Sequence, residues 1–314
     1  MIRWGFLGAG QVATLALAPA VHAADGAVLA HAGARDPNRA AALGAARSSA
    51  SYDAVLDDPD VDAVYVALSN EAHLPWTLRA LEAGKHVLCE KPLGLTADEV
   101  RQMAGAAQRV GRSVVEASWY RWHPRVRLAQ QQLAAIGEVR HVGAGFTFGA
   151  VPAGNYRLDP ARGGGALYDV GCYAVSACLW AVDRGLPVDV AAQLRLGPTG
   201  VDLDASAVLD WDGATAEVRV GIDDREGQWL VVTGEGGEVE LRDAPYTSWR
   251  DPSELWVSDG RGTRRLAVPA VDAYRVMVTE VSSVLAGGPG WVLPIEQSLE
   301  TAVVLDGIRT AALA

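Results

Sequence analysis

The strongest constraint on the fold is a glycine pattern set between a strand and a helix. The apolar run from Ile2 to Gly8 ends in Gly8-Ala9-Gly10-Gln11-Val12-Ala13, and a helical stretch begins at about Val12. In GxGxxA the first glycine permits a tight turn, and the second lets the backbone approach a pyrophosphate. The small third residue lets helix and strand pack closely, with phosphate at the helix N-terminus. The pattern points to Gly8, Gly10, Gln11 and Val12 as dinucleotide contacts. A glycine turn in any α/β protein has the same spacing, so the surrounding rhythm has to decide.

That rhythm is alternating. After Ile2 to Gly8 come a strand at Ala27 to Ala34, a helix from about Pro37 and a strand at Ala63 to Ala67. A helix around Pro75 to Ala83, a strand His86 to Cys89, a helix Ala97 to Val110 and a strand Ser113 to Glu116 complete the series. Strand and helix in alternation predict βαβ units and a parallel, doubly wound Rossmann sheet. From about Arg140 strand-like runs dominate, with turn signals at Asp212-Gly213, Gly236-Gly237 and Asp259-Gly260, which predicts a largely antiparallel open sheet. Helices are expected at 165–181, 274–285 and 295–312. The expected division is therefore a nucleotide-binding Rossmann domain over 1–120 and an α+β domain for substrate binding and oligomerisation over 121–314.

Composition narrows the partners. With 38 acidic against 27 basic residues the chain carries a formal charge of -11, which disfavours nucleic acid and anionic membrane surfaces. No stretch approaches the roughly 18 uninterrupted apolar residues of a membrane span, and the first residues lead straight into a strand, so neither a span nor a signal peptide is expected. Cys89, Cys172 and Cys178 are odd in number and lack paired ligand spacing, which argues against a disulfide framework or a zinc site and fits a reducing cytoplasm. His86 and Cys89, three apart on a strand, face opposite sides, so no metal is expected there.

The end of the second strand bears on the choice of nucleotide. NAD-specific sites carry an acidic residue about 20 positions after the glycines, to accept from the ribose 2'-hydroxyl. Here the strand ends in Ala34-Arg35, and a guanidinium suits a 2'-phosphate, with Arg39 one turn on to assist. Asp36, before Pro37, reads as a helix cap. These residues favour NADP over NAD.

The run 81–93, LEAGKHVLCEKPL, ends a strand in Glu90-Lys91-Pro92, and 163–173 reads GGGALYDVGCY. Both resemble signatures of the glucose-fructose oxidoreductase, inositol dehydrogenase and rhizopine catabolism (GFO/IDH/MocA) oxidoreductase family, and the resemblance covers nearly the whole chain. The resemblance implies that Leu68, Ser69, Asn70 and His73 form a loop at the nicotinamide ribose, and that Glu90, Lys91, Glu116 and Arg121 also face the cofactor. It further implies that Lys91, Asp169 and Tyr173 meet at the substrate, that Lys91-Pro92 is cis, and that the chain forms a homo-dimer or homo-tetramer. Tyrosine rather than histidine at 173 is similar to the NADP-dependent xylose dehydrogenase and dihydrodiol dehydrogenase branch.

The residues themselves support that chemistry. Asp169 and Tyr173 are four apart and share one face of a helix. Hydride exchange at a carbon bearing oxygen needs a proton donor and acceptor. A phenol with pKa about 10 becomes useful when a nearby ammonium favours the phenolate. Lys91 is one of only two lysines, the other being Lys85, in a chain that uses arginine elsewhere. Tyr173 is thus the expected general acid/base, with Lys91 polarising it and the substrate oxygen, and Asp169 orienting hydroxyls or the lysine. Tyr173 as a satisfied core aromatic and Asp169 as a turn cap are the bland alternatives. Trp119, Tyr120, Trp122, Asn155 and Arg157, together with Lys91, Asp169 and Tyr173, are the expected contacts for a sugar or cyclic alcohol. A biosynthetic sugar ketoreductase, or a non-catalytic NADP-binding sensor on the same fold, would share this layout.

Overall fold

A computed structural model describes residues 1–149 and 151–313. The chain forms two compact units, one comprising Met1–Gly94, Asp98–Trp122 and Asp272–Ile295, the other Leu95–Ala97, His123–Val271 and Glu296–Ala314. The expected fold class, a parallel Rossmann sheet plus a largely antiparallel sheet, is what the chain adopts.

In the first unit the strands are β1 (Ile2–Leu7), β2 (Ala27–Gly33), β3 (Arg47–Ser49), β4 (Ala63–Val66), β5 (His86–Cys89) and β6 (Val114–Glu116). They pair in parallel in the order β3-β2-β1-β4-β5-β6, so the order reverses beside β1, the usual nucleotide crevice of such sheets. The helices are α1 (Ala18–Ala23), α2 (Pro37–Ala41), α3 (Asp53–Leu56), α4 (His73–Glu82) and α5 (Ala97–Val110). A π-helical turn, Ala13–Leu17, leads into α1. Every residue of β4 is buried, as expected of a central parallel strand covered on both faces.

The second unit contains α6 (Pro124–Ile136) and α7 (Cys172–Val182), the latter preceded by a second π-helical turn, Leu167–Gly171. Eight strands follow the order β14-β13-β12-β11-β7-β10-β9-β8. They are β7 (Val139–Thr147), β8 (Asp189–Leu196), β9 (Asp202–Trp211), β10 (Ala214–Gly221), β11 (Gly227–Gly234), β12 (Gly237–Leu241), β13 (Ser253–Asp259) and β14 (Gly262–Val268). β7 and β10 run parallel and the other pairs antiparallel. Strand β9 alternates buried and exposed residues over Ala205 to Trp211, the signature of a sheet covered on one face. Helix α7, all eleven of whose residues are buried, covers β7 and β10, and α6 packs on β12 and β13. Among the described residues one helical stretch, Pro160–Val182, is long and apolar enough to cross a bilayer, but its apolar window is wholly buried in the protein, which makes it a core helix.

The last two helices, α8 (Ala273–Leu285) and α9 (Ile295–Leu313), separate. Helix α9 packs in the second unit, where Asp306 accepts from the Ala97 amide at 2.8 Å. Helix α8 packs in the first unit, although the sequence division assigns its residues to the second domain. The anchor is Trp4 of β1, fully buried, whose indole Nε1 donates to Ser282 Oγ of α8 at 3.0 Å. Ser282→Ala would leave that N–H without an acceptor inside an apolar layer, so it is expected to cost about 1–3 kcal/mol of stability in urea unfolding followed by tryptophan fluorescence.

Candidate functional site

The glycine loop lies at the C-terminal end of β1. Gly8 has φ +106°, and a Cβ there would lie 2.5 Å from the Ala67 carbonyl oxygen, so glycine is required by the protein itself. Gly10 is different: the nearest atom to an added Cβ is that same oxygen at 3.8 Å. The protein does not need glycine at 10 for its own packing. A bare backbone there leaves room for a pyrophosphate, and the loop therefore fits a dinucleotide. Gln11 and Val12 are exposed on the first turn of the following helix.

At the end of β2, Asp36 caps α2, its carboxylate accepting from the Asn38 amide at 2.9 Å, as its place before Pro37 predicts. Arg35 is exposed and makes no hydrogen bond or ion pair within the protein among the described residues. Arg39 Nη2 donates to the Ala9 carbonyl of the glycine loop, which ties the two arginine-bearing and glycine-bearing turns together.

The segment after β5 is held by buried polar groups. The Lys91-Pro92 peptide is cis. Glu90 accepts from the Tyr65 hydroxyl at 2.5 Å and from the Lys91 amide at 3.3 Å, and burial, opposed by Tyr65, raises its pKa. Glu116 accepts from the Leu93 amide at 3.0 Å. His73 is fully buried, with Nδ1 2.8 Å from the Pro92 carbonyl and Nε2 3.2 Å from that of Leu68. Burial, reinforced by the Lys91 cation, holds the imidazole pKa below its ordinary value. Glu90, Glu116 and His73 thus brace the chain on either side of Lys91. Ser69 donates to Glu71 at 2.6 Å, Leu68 and Ser69 are half-buried, and Asn70 is buried.

The residues after β6 are also interior. Trp119 is stacked on Tyr274 of α8, with centroids 4.5 Å apart and planes at 20°. Tyr120 is buried, and Trp122 donates from Nε1 to the Trp291 carbonyl at 3.2 Å. Arg121 is buried with its guanidinium 5.7 Å from the Trp291 ring, and desolvation lowers its pKa.

In the second unit the run Gly163-Gly164-Gly165 is crowded from two sides. A Cβ at Gly164 would lie 2.5 Å from the Arg157 carbonyl oxygen, and one at Gly165, with φ +118°, 2.1 Å from Asp202 Oδ1. The Gly165 amide donates to the Arg157 carbonyl at 2.9 Å, and the Leu167 amide donates to Asp202 Oδ2 at 2.6 Å. Asp202 therefore caps the turn that bears Asp169, from a strand 33 residues downstream. Asn155 accepts from the Arg157 amide at 3.0 Å, and Arg157 Nε donates to Asp169 Oδ2 at 2.6 Å. Asp169 and Tyr173 are both buried. The Tyr173 ring lies 5.8 Å from Phe146 and 6.0 Å from Tyr246. Single π-turns inside helices are frequent at functional sites, and this one carries Asp169 and leads into Tyr173.

Three neighbours escaped sequence reasoning. Tyr246, fully buried, donates to the Trp229 carbonyl at 3.1 Å. The buried Arg125 donates to the carbonyls of Arg242, Asp243 and Ala244, where Asp243 and Ala244 both have positive φ. It thereby fixes the bend that leads to Tyr246. Asp202 is the third. None of these has a local motif; each acts through a contact distant in sequence.

A parallel sheet with a bare glycine loop at its reversal point, and a largely antiparallel sheet packed under α6 and the buried α7, give the layout of a two-unit nucleotide-binding oxidoreductase. The description "Oxidoreductase family, NAD-binding Rossmann fold" matches residues 2–118, and the "GFO/IDH/MocA C-terminal domain" matches 126–240. The chain is 35% identical over 321 residues to D-xylose 1-dehydrogenase (NADP(+)) 2 of Haloferax volcanii, covering 99% of this chain and 97% of that protein. It is 34% identical over 329 residues to an uncharacterized oxidoreductase of Rhizobium meliloti, covering 99% and 97%. The 3-ketoreductase KijD10 of Actinomadura kijaniata, solved with NADP and TDP-benzene, superposes with a TM-score of 0.89 at 28% identity, covering 99% of this chain and 97% of that one. This chain belongs to the GFO/IDH/MocA oxidoreductase family.

Burial raises the pKa of Asp202 from an ordinary 3.8 to about 6. The folded protein then binds this proton more tightly than the unfolded chain, so the group's contribution to stability is full below about pH 4 and is lost as pH rises through 6. Asp202→Asn keeps an acceptor for the Leu167 amide without the charge. Its stability relative to wild type is expected to improve by on the order of 2 kcal/mol between pH 4 and 7, measured by urea unfolding across that range.

Proposed function

We propose that this chain is an NADP-dependent oxidoreductase that exchanges a hydride between the nicotinamide and a sugar, cyclic alcohol or ketosugar. The observation that carries the reading is the buried helix of the second unit, on which Asp169, in ion pair with Arg157, stands one turn from Tyr173. The similarity to an NADP-dependent xylose dehydrogenase over nearly the full length of both chains supports it.

Bound at the glycine loop, the dinucleotide would supply the carbon that accepts or returns the hydride. Gly8 and Gly10 leave the backbone open to its pyrophosphate, and Arg35, assisted by Arg39, holds the 2'-phosphate that distinguishes NADP. In the oxidative direction Tyr173 takes the proton of the substrate hydroxyl, and in reduction it returns it. Lys91 favours the phenolate and polarises the substrate oxygen, and Asp169 orients the groups around it. The braces on Lys91, from Glu90, His73 and Glu116, keep the ammonium-bearing residue in one backbone conformation.

A sugar-nucleotide ketoreductase is the second reading. It is favoured by the superposition on KijD10 and by 32% identity over 301 residues to a dTDP-3,4-didehydro-2,6-dideoxy-alpha-D-glucose 3-reductase of Saccharopolyspora spinosa. A panel of free aldoses with NADP and of nucleotide-linked ketosugars with NADPH, followed at the nicotinamide absorbance, separates the two. Turnover of aldoses supports the first reading, and turnover confined to nucleotide-linked ketones supports the second.

Two variants test the assignments. Arg35→Ala is expected to weaken NADPH roughly 10- to 100-fold, the worth of a lost charge-assisted contact, while changing NADH little in fluorescence titrations. Lys91→Met is expected to keep NADPH affinity within a few fold and to lower kcat by at least about 100-fold.

A further inference from the structure

Arg157 is locked by three separate features. Its amide is bonded to Asn155, its carbonyl accepts from the Gly165 amide, and its Nε meets Asp169 Oδ2 at 2.6 Å. Gly164 leaves space for that carbonyl that a side chain would fill. The glycine run thus lets the Arg157 backbone lie against the start of the Asp169 turn, and the guanidinium arrives at Asp169 already oriented. Asp169 is 7% exposed and Arg157 31%, so the carboxylate is inside and the cation spans from the interior to the surface. A buried carboxylate without its cation is costly, so the pair keeps Asp169 ionised and in place. The Nε–H is the guanidinium donor that meets Asp169, and a direct sugar contact by the same side chain would show in KM.

The charges around the pair come from several elements. Tyr156 lies under the Arg157 guanidinium at 4.9 Å, and Arg162 is 5.6 Å from the same ring. Tyr173 follows Asp169 by one turn, Tyr246 packs on Tyr173, and Asp202 caps the turn. Asp169 and Tyr173 both act on Arg157 electrostatically and favour its charged form.

We propose that Arg157 is a positioning residue of the reaction: it fixes Asp169 as a carboxylate and sets a permanent cation beside the helix turn of Tyr173, so that Tyr173 loses its proton at lower pH. The proposal rests on the reading of Tyr173 as general acid/base. A carboxylate facing a phenol without compensation would raise the phenol's pKa, and the guanidinium cancels that effect.

The direct readout is the tyrosinate absorbance of the full-length protein near 295 nm against pH, taken as the difference between a parent and the same parent carrying Tyr173→Phe. Arg157→Met is expected to move the Tyr173 midpoint up by about one unit relative to wild type, and Arg157→Lys by less than half of that. Arg157→Gln retains a donor to Asp169 without charge and reads the same shift if the methionine variant fails to fold. The pH profile of kcat is expected to move in parallel with the midpoint, with KM for the sugar unchanged. Coincident midpoints in wild type and the neutral variants would overturn the proposal, and so would a raised KM with an unmoved pH profile, which would make Arg157 a substrate contact. Full turnover by Tyr173→Phe would instead remove the acid/base reading, a result the absorbance titration does not depend on.

Discussion

The second unit is organised by a collision that only glycine avoids. The Arg157 carbonyl and the Asp202 carboxylate converge on Gly164 and Gly165, and both sit where a Cβ would be. Each approach has a consequence. From one side comes the guanidinium that pairs with Asp169, and from the other comes the cap on the Leu167 amide. The turn Leu167–Gly171 and helix α7 therefore start at a point fixed by two segments distant in sequence. With α7 buried along its whole length, Tyr173 inherits that fixed orientation.

The first unit solves the corresponding problem with buried polar groups. Lys91 is attached to a bend, and bends are mobile unless their backbone groups are satisfied. Here the neighbouring amides and carbonyls are satisfied by Glu90, Glu116 and His73, each reaching from a different strand, loop or helix. The cost of burying these groups is offset because each has a hydrogen-bond partner. Both units thus use interior polar contacts to hold one proposed site residue each, Lys91 in the first and Tyr173 in the second.

Much of this was legible in the sequence where the signal was local. The glycine loop, the strand–helix alternation, the Asp36 cap and the switch to sheet after about residue 140 depend on neighbours in sequence, and each is present in the structure. The resemblance carried the cis Lys91-Pro92 peptide, which propensity alone does not give. What stayed hidden is nonlocal. The glycine run could be recognised as a motif, but its physical reason lies in Asp202, which belongs to an ordinary alternating strand. Tyr246 and Arg125 meet through a bend with two positive-φ residues, Asp243 and Ala244, neither of them glycine. Helix α8 reads as part of the second half of the chain, yet one buried tryptophan–serine bond belongs to the first unit. Arg157 was legible as a residue of interest, but its pairing with Asp169 required the backbone path between them.

The central claim is that Tyr173 moves the proton that accompanies hydride transfer. Single-turnover oxidation of NADPH by a carbonyl substrate, compared for wild type and Tyr173→Phe at matched occupancy, tests it most directly. The account predicts a hydride step at least about 100-fold slower in the variant with unchanged NADPH affinity. Equal single-turnover rates in the two proteins would contradict it.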